Sequence, residues 1–169
     1  MCVTTKGNRP MTPTPRTARQ IADLLLARDP LPPLVPSQVY DAALTPEIEA
    51  VTAPDLVKIG LHLLNDDLAA SHALSQQQEG EPLADYWHAI IHRREGDYGN
   101  SRYWFGRAGR SQALAEVYGQ DPNAPTAFVE CCRAVGRGRD ADSERFQRDE
   151  IRRLLAYAQS EYSTILLTA

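Results

Sequence analysis

All four histidines of this 169-residue chain fall between positions 62 and 92. His88 and His92 stand at i and i+4, the spacing at which one helix face presents two metal ligands. On a helical wheel at about 100° per residue, Asp85, His88, His92 and Glu95 share an arc of about 80°. Leu83, Trp87, Ile90, Ile91 and the stem of Arg94 occupy another side, which must pack inward. In the zinc-protease arrangement a glutamate follows the first histidine; here that place holds Ala89, so this chemistry is not supported. His62 and Asp66 form a similar i,i+4 pair on the preceding segment, beside Ala69 and Ala73. If the two segments pack as antiparallel helices, these groups converge. The candidate ligands are then His88, His92, Asp66, Asp85 and Glu95, and the cofactor is a divalent metal, since neutral imidazole with carboxylate suits Zn, Fe, Mn or Ni. A histidine tuned near neutrality could also act as acid or base without a metal. The plainer reading of the same residues is a set of surface pairs at i,i+3, or a core histidine bonded to a carboxylate.

Between Asp85 and Arg110 the charge balance reverses locally. Arg93, Arg94, Arg102, Arg107 and Arg110 face only Asp85, Glu95 and Asp97, among Tyr86, Trp87, Tyr98, Tyr103, Trp104 and Phe105. Arginine binds carboxylate or phosphate through a bidentate fork and stacks on aromatic faces. The expected ligand face comprises His62, His88, His92, Arg93, Arg94, Trp87, Tyr103 and Arg107, and would suit a small anionic molecule or a peptide. Against this stands a structural reading in which the aromatics are core and the arginines fix a turn. Because consecutive arginines point about 100° apart, at most one of Arg93 and Arg94 can follow a given packed face.

The elements that must position these groups read as helices. Residues 1–17 carry Pro10, Pro13 and Pro15 and read as a flexible tail ahead of a single helical domain over 18–169. A short helix over 19–28 stops at Asp29-Pro30, and a proline-rich connector to Ser37 is expected to lie along the surface. Thr45-Pro46-Glu47 and Thr52 to Asp55 are helix starts, the second leading into one long helix from 54 to the Gln76–Gln78 tract. Helices follow over 83–95, closed by Gly96, and 98–107, opened by Asp97. Three more begin near Ser111, near Pro122–Pro125 and at Asp140, the last running to 164 on a stripe of Ile151, Leu154, Leu155, Ala158, Tyr162 and Ile165. No alternating run supports a strand. The fold class is all-α: a compact helical domain of about seven helices.

Asn65 to Leu74 can be laid on Gly96 to Phe105, a register that matches Asp66 with Asp97, Ala70 with Ser101 and Leu74 with Phe105. Gly96, Asp97, Tyr98, Ser101, Trp104, Phe105 and Ala108, with Ala89 on the preceding helix, resemble a tetratricopeptide-type helical hairpin. The resemblance implies one such hairpin within a compact domain, because two repeats cannot stand alone. It departs from that family where Asp85, His88 and His92 replace large apolar residues. The stretch from Tyr86 to Phe105 also resembles one in an uncharacterised family of small helical proteins, which implies no activity.

Composition narrows the rest. The chain has 43% hydrophobic and 24% charged residues and a net charge of −4, the profile of an ordinary globular domain. The acidic balance argues against nucleic acid as a partner, and Gly136-Arg137-Gly138-Arg139 lacks the strand that a phosphate loop needs. No segment reads as a signal peptide or a membrane span. Cys2, Cys131 and Cys132 form neither a disulfide framework nor a zinc spacing, so a cytoplasmic protein is expected. Three functions fit: binding of a small anionic ligand or peptide, a small metal-dependent enzyme using His88 and His92, and a structural protein-interaction module. A homo-oligomer is compatible with each.

Overall fold

The computed structural model describes residues 15–168, with side chains to Glu161. These form nine helices and no strand: α1 Ala18–Leu26, α2 Leu44–Ala50, α3 Asp55–Leu64, α4 Leu68–Gln76, α5 Pro82–Glu95, α6 Tyr98–Ala108, α7 Gln112–Tyr118, α8 Ala124–Val135 and α9 Ala141–Thr168. The all-α class holds, with more helices than the sequence suggested. No described helix is long and apolar enough to cross a membrane. Of the expected flexible tail, residues 1–14 lie outside the described residues. Thr17 caps α1 through a capping box, and Arg16 pairs with Glu47 on α2 at 2.7 Å.

One long helix was expected from 54 to 78; the structure has two. Asp66 takes a left-handed conformation, φ 57°, which an α-helix cannot continue through. Its carboxylate is gripped by Arg28 at 2.8 Å and Arg94 at 2.5 Å, and Asp67 then caps α4 by accepting from the Ala70 N–H at 3.2 Å. Asn65, fully buried, ties this turn to the connector by exchanging two hydrogen bonds with the backbone of Asp41. The turn reverses the chain, so α3 and α4 form a hairpin.

A second hairpin, α5–α6, repeats the first in a register one position tighter than the sequence alignment, so that Asp67 and not Asp66 matches Asp97. The Asp67 N–H donates to the His62 carbonyl at 2.9 Å, as Asp97 does to His92 at 2.8 Å. Asp66 with φ 57° corresponds to Gly96 with φ 83°. Ser71 Oγ donates to the Ile59 carbonyl at 3.0 Å, and Ser101 Oγ to the Ala89 carbonyl at 2.8 Å. The serine is therefore the small residue that lets the two helices of each hairpin approach closely.

Helix α5 lies at the centre. Every residue from Leu83 to Arg94 is buried, because α3, α4 and α6 surround it and α9 closes the remaining side through Glu150. Ile151, Leu154, Leu155 and Ala158 of the α9 stripe are in the core; Tyr162 and Ile165 lie outside the described side chains. Gly60 on α3 lets α9 come close, since a Cβ there would sit 2.7 Å from Leu155 Cδ2. The proline-rich connector is not merely laid on the surface. Leu34 and Val35 are buried beside Cys132, and the Pro33 carbonyl accepts from Arg94 at 3.1 Å and Gln147 at 3.2 Å.

Candidate metal centre

Three imidazoles from two helices meet on one side of α5. His72 comes from α4, His88 and His92 from successive turns of α5. One ligand atom from each lies within 4.8 Å of the other two. The Nε2 atoms of His72 and His88 are 2.8 Å apart. His88 and His92 stack in parallel, centroids 5.0 Å apart and planes 6° apart, and His72 meets both edge-on. The i,i+4 spacing explains the parallel pair. The α3–α4 turn explains the third ring, because it brings α4 back along α5.

Glu95, the last residue of α5, organises the cluster. One carboxylate oxygen is 3.0 Å from His72 Nδ1, and the other is 3.0 Å from His92 Nδ1. A carboxylate only accepts, so His72 Nδ1, which hydrogen-bonds Glu95, carries a proton, whereas His92 Nδ1 approaches the other oxygen without hydrogen-bond alignment. Burial pulls the Glu95 carboxyl upward, but its contacts with His92 and His72 outweigh this and hold it below the usual range. A carboxylate that takes the Nδ1 proton of a histidine is one way protein metal sites fix that ring and its tautomer.

His88 sits deepest, 2% exposed, under the indole of Trp104 at 3.9 Å and 14° from coplanar. Burial first, then the neighbouring His72 and His92, lower its pKa to about 4. It is neutral at pH 7, so ligation through Nε2 requires no proton loss but does require its single proton on Nδ1, which is buried without an acceptor. Tetrahedral metal–nitrogen bonds of 2.0–2.1 Å place nitrogens ~3.4 Å apart. One imidazole nitrogen from each ring lies within 4.8 Å of the other two, a spacing of the order a shared ion requires.

The structure distributes the sequence-derived candidates unevenly. His88, His92 and Glu95 come together, and His72, absent from the expected set, completes them. His62 does not join. It is fully buried near Asp67, its Nδ1 3.6 Å from the carboxylate, beside a cavity of about 330 Å³ also lined by Lys58 and Asp55; burial lowers its pKa against the pull of Asp67. Asp66 is engaged by Arg28 and Arg94, as described. Asp85 accepts from the Gly80 N–H at 3.0 Å and from Arg107 at 3.3 Å.

Nor do the arginines form one anion-binding face. Arg93 and Arg94 are both buried, because α5 is packed on every side. Arg93 pairs with the buried Glu150 of α9 at 2.5 Å, where Tyr86 and Tyr118 also donate to the same carboxylate at 3.2 and 2.7 Å. Arg94 binds Asp66 and the Leu63 carbonyl. Trp87 is fully buried in the core. Only Arg107 and Tyr103 stay near the cluster. Arg107 lies 4.8 Å over the Trp104 ring, and Tyr103, 57% exposed, meets that indole edge-on.

His72 carried one signal in the sequence, its place among the clustered histidines. It stands 16 residues before His88 and shares no periodicity with it. Comparison with known proteins finds no matching family model, no similar curated protein and no similar solved structure.

Proposed function

We propose that this protein is a small metal-dependent enzyme whose centre is ligated by His72, His88 and His92 through Nε2. The observation that carries this reading is the convergence of three imidazoles, two of them in contact with the single carboxylate of Glu95. Three neutral nitrogens leave a coordination position open, the pattern of catalytic rather than structural zinc sites. A divalent ion bound there would supply Lewis acidity and a water activated near neutral pH. The protein's own part is to fix the ligand tautomers, shield one side with Trp104 and offer Arg107 and Tyr103 at the rim for a small anionic substrate. The matching construction of the α3–α4 and α5–α6 hairpins supports a tetratricopeptide-like framework beneath the site. A reducing, cytoplasmic setting suits the free thiols of Cys131 and Cys132.

Elemental analysis of protein purified without a histidine tag tests the reading. We expect one transition metal per chain, lost in His72→Ala, His88→Ala and His92→Ala. Sub-stoichiometric metal, unchanged by His88→Ala, overturns it.

The second reading is metal-free binding of a small anion or peptide at the same face. The Arg107–Trp104–His88 stack favours it. It predicts a tryptophan fluorescence change with carboxylate or phosphate compounds in metal-free protein.

A further inference from the structure

Gln76, the last residue of α4, stands one helical turn after His72. Its Nε2 lies 3.4 Å from His72 Nε2. His72 Nε2 is the atom that Glu95 leaves unprotonated, so its lone pair is an acceptor. Two groups lie at that lone pair: the Gln76 amide nitrogen, at 3.4 Å, from the exposed side and His88 Nε2, at 2.8 Å, from the buried side. Because a metal ion bound at His72 must take up this lone pair, the Gln76 N–H would lose its acceptor. It would then face whatever the ion carries on its solvent side.

We infer that Gln76 is the residue that selects the exogenous ligand at this centre, donating its amide N–H to an oxygen of a metal-bound carboxylate or other oxyanion. This rests on the metal reading given above. With its NH2 group turned to His72 from the solvent side, the amide favours a ligand that accepts at or beside the metal-bound atom. The placement also accounts for a polar residue on the rim that no core contact demands: Gln76 is exposed, and among the described residues His72 receives its amide. Gln76 is thus a binding and positioning residue, distinct from the three ligands and from Glu95.

The test uses cobalt-loaded full-length protein, whose visible spectrum reports the ligand field. Wild type and Gln76→Ala are compared for cobalt stoichiometry and then titrated with acetate and with inorganic phosphate. The expected result is one cobalt per chain in both, with anion dissociation constants raised about tenfold or more in the variant, the effect of removing one hydrogen bond to a charged group. Equal anion affinity at full cobalt occupancy overturns the inference and leaves the metal reading intact. Cobalt lost in Gln76→Ala overturns it differently, by making Gln76 a ligand through its carbonyl oxygen. Cobalt not bound by wild type at all overturns the metal reading itself.

Discussion

His62 and His92 occupy equivalent places in two hairpins of the same construction, yet only His92 belongs to the histidine cluster. Each gives its carbonyl oxygen to the acid that caps the next helix, Asp67 or Asp97. What differs is the helix each ring meets. His92 looks onto α4, which carries His72, whereas His62 is enclosed with Asp67 beside α2. The cluster therefore arises from the contact between hairpins and not from either hairpin alone.

Glu95 touches two of the three proposed ligands and should tune their affinity without setting the stoichiometry. Glu95→Gln is expected to weaken metal binding by about 10–100-fold, the usual cost of losing an outer carboxylate. Competition against a chromophoric chelator measures it. An unchanged dissociation constant would show that Glu95 is a surface pair only.

Trp104 lies flat on His88, so its emission should respond when His88 acquires an ion. Cobalt or nickel should quench the fluorescence of wild type strongly. In Trp104→Phe the remaining signal comes from Trp87 in the core, and quenching should be largely lost while metal content is retained. Strong quenching that persists in the variant would place the ion elsewhere.

Acid should destabilise the metal-free protein over a defined window. The unfolded chain protonates His88 near its ordinary value of 6.5, but the folded protein resists this until about pH 4. Between these values the unfolded state holds more protons, so stability falls as pH falls from 6.5 towards 4. The depressed value of His62 acts in the same sense. His72, His92, Asp85 and Glu95 surround the group. Urea midpoints in the presence of chelator should drop across this window, and His88→Gln should flatten the slope. A midpoint constant from pH 7 to pH 4 would contradict the buried, neutral His88.

Two glycines offer a matched contrast in packing. Gly60→Ala would push a methyl to 2.7 Å from Leu155 Cδ2 and 2.9 Å from Trp87 Cη2, and should cost about 1–3 kcal/mol by overpacking. Gly106 is exposed in α6, and a methyl added there would meet nothing within 4 Å. Gly106→Ala should stabilise by about 0.5–1 kcal/mol through helix propensity. Chemical denaturation of both variants, with opposite signs of change, checks the closeness of α3 to α9.

The sequence made the all-α class readable because glycines, prolines and capping acids punctuate the chain. It made His88, His92 and Glu95 readable because they share one helix face, and local periodicity is a property of a single helix. The break at Asp66 was readable only in part: the register that matches it with Asp97 puts a turn there, while local helix periodicity runs straight through it. A non-glycine left-handed residue depends on Arg28 and Arg94, which reach it from positions 38 and 28 residues distant. Missing that break hid the α4 reversal, and with it the arrival of His72. The two arginines misled for a related reason: wheel geometry assumes one packed face, whereas α5 is packed all round.

That enclosure of α5 bears on how the protein is made. The histidines leave the ribosome early, but Arg93 gains its carboxylate partner only when Glu150 has been synthesised. Until then a guanidinium without a counter-charge would have to enter the core, a strongly unfavourable step. The helix that carries two of the three clustered histidines thus completes its docking only when α9 arrives. A chain ended before Ala141 should remain protease-sensitive and take up no cobalt. Loading of an ion would in this sense wait on the synthesis of α9, with that helix as its timer.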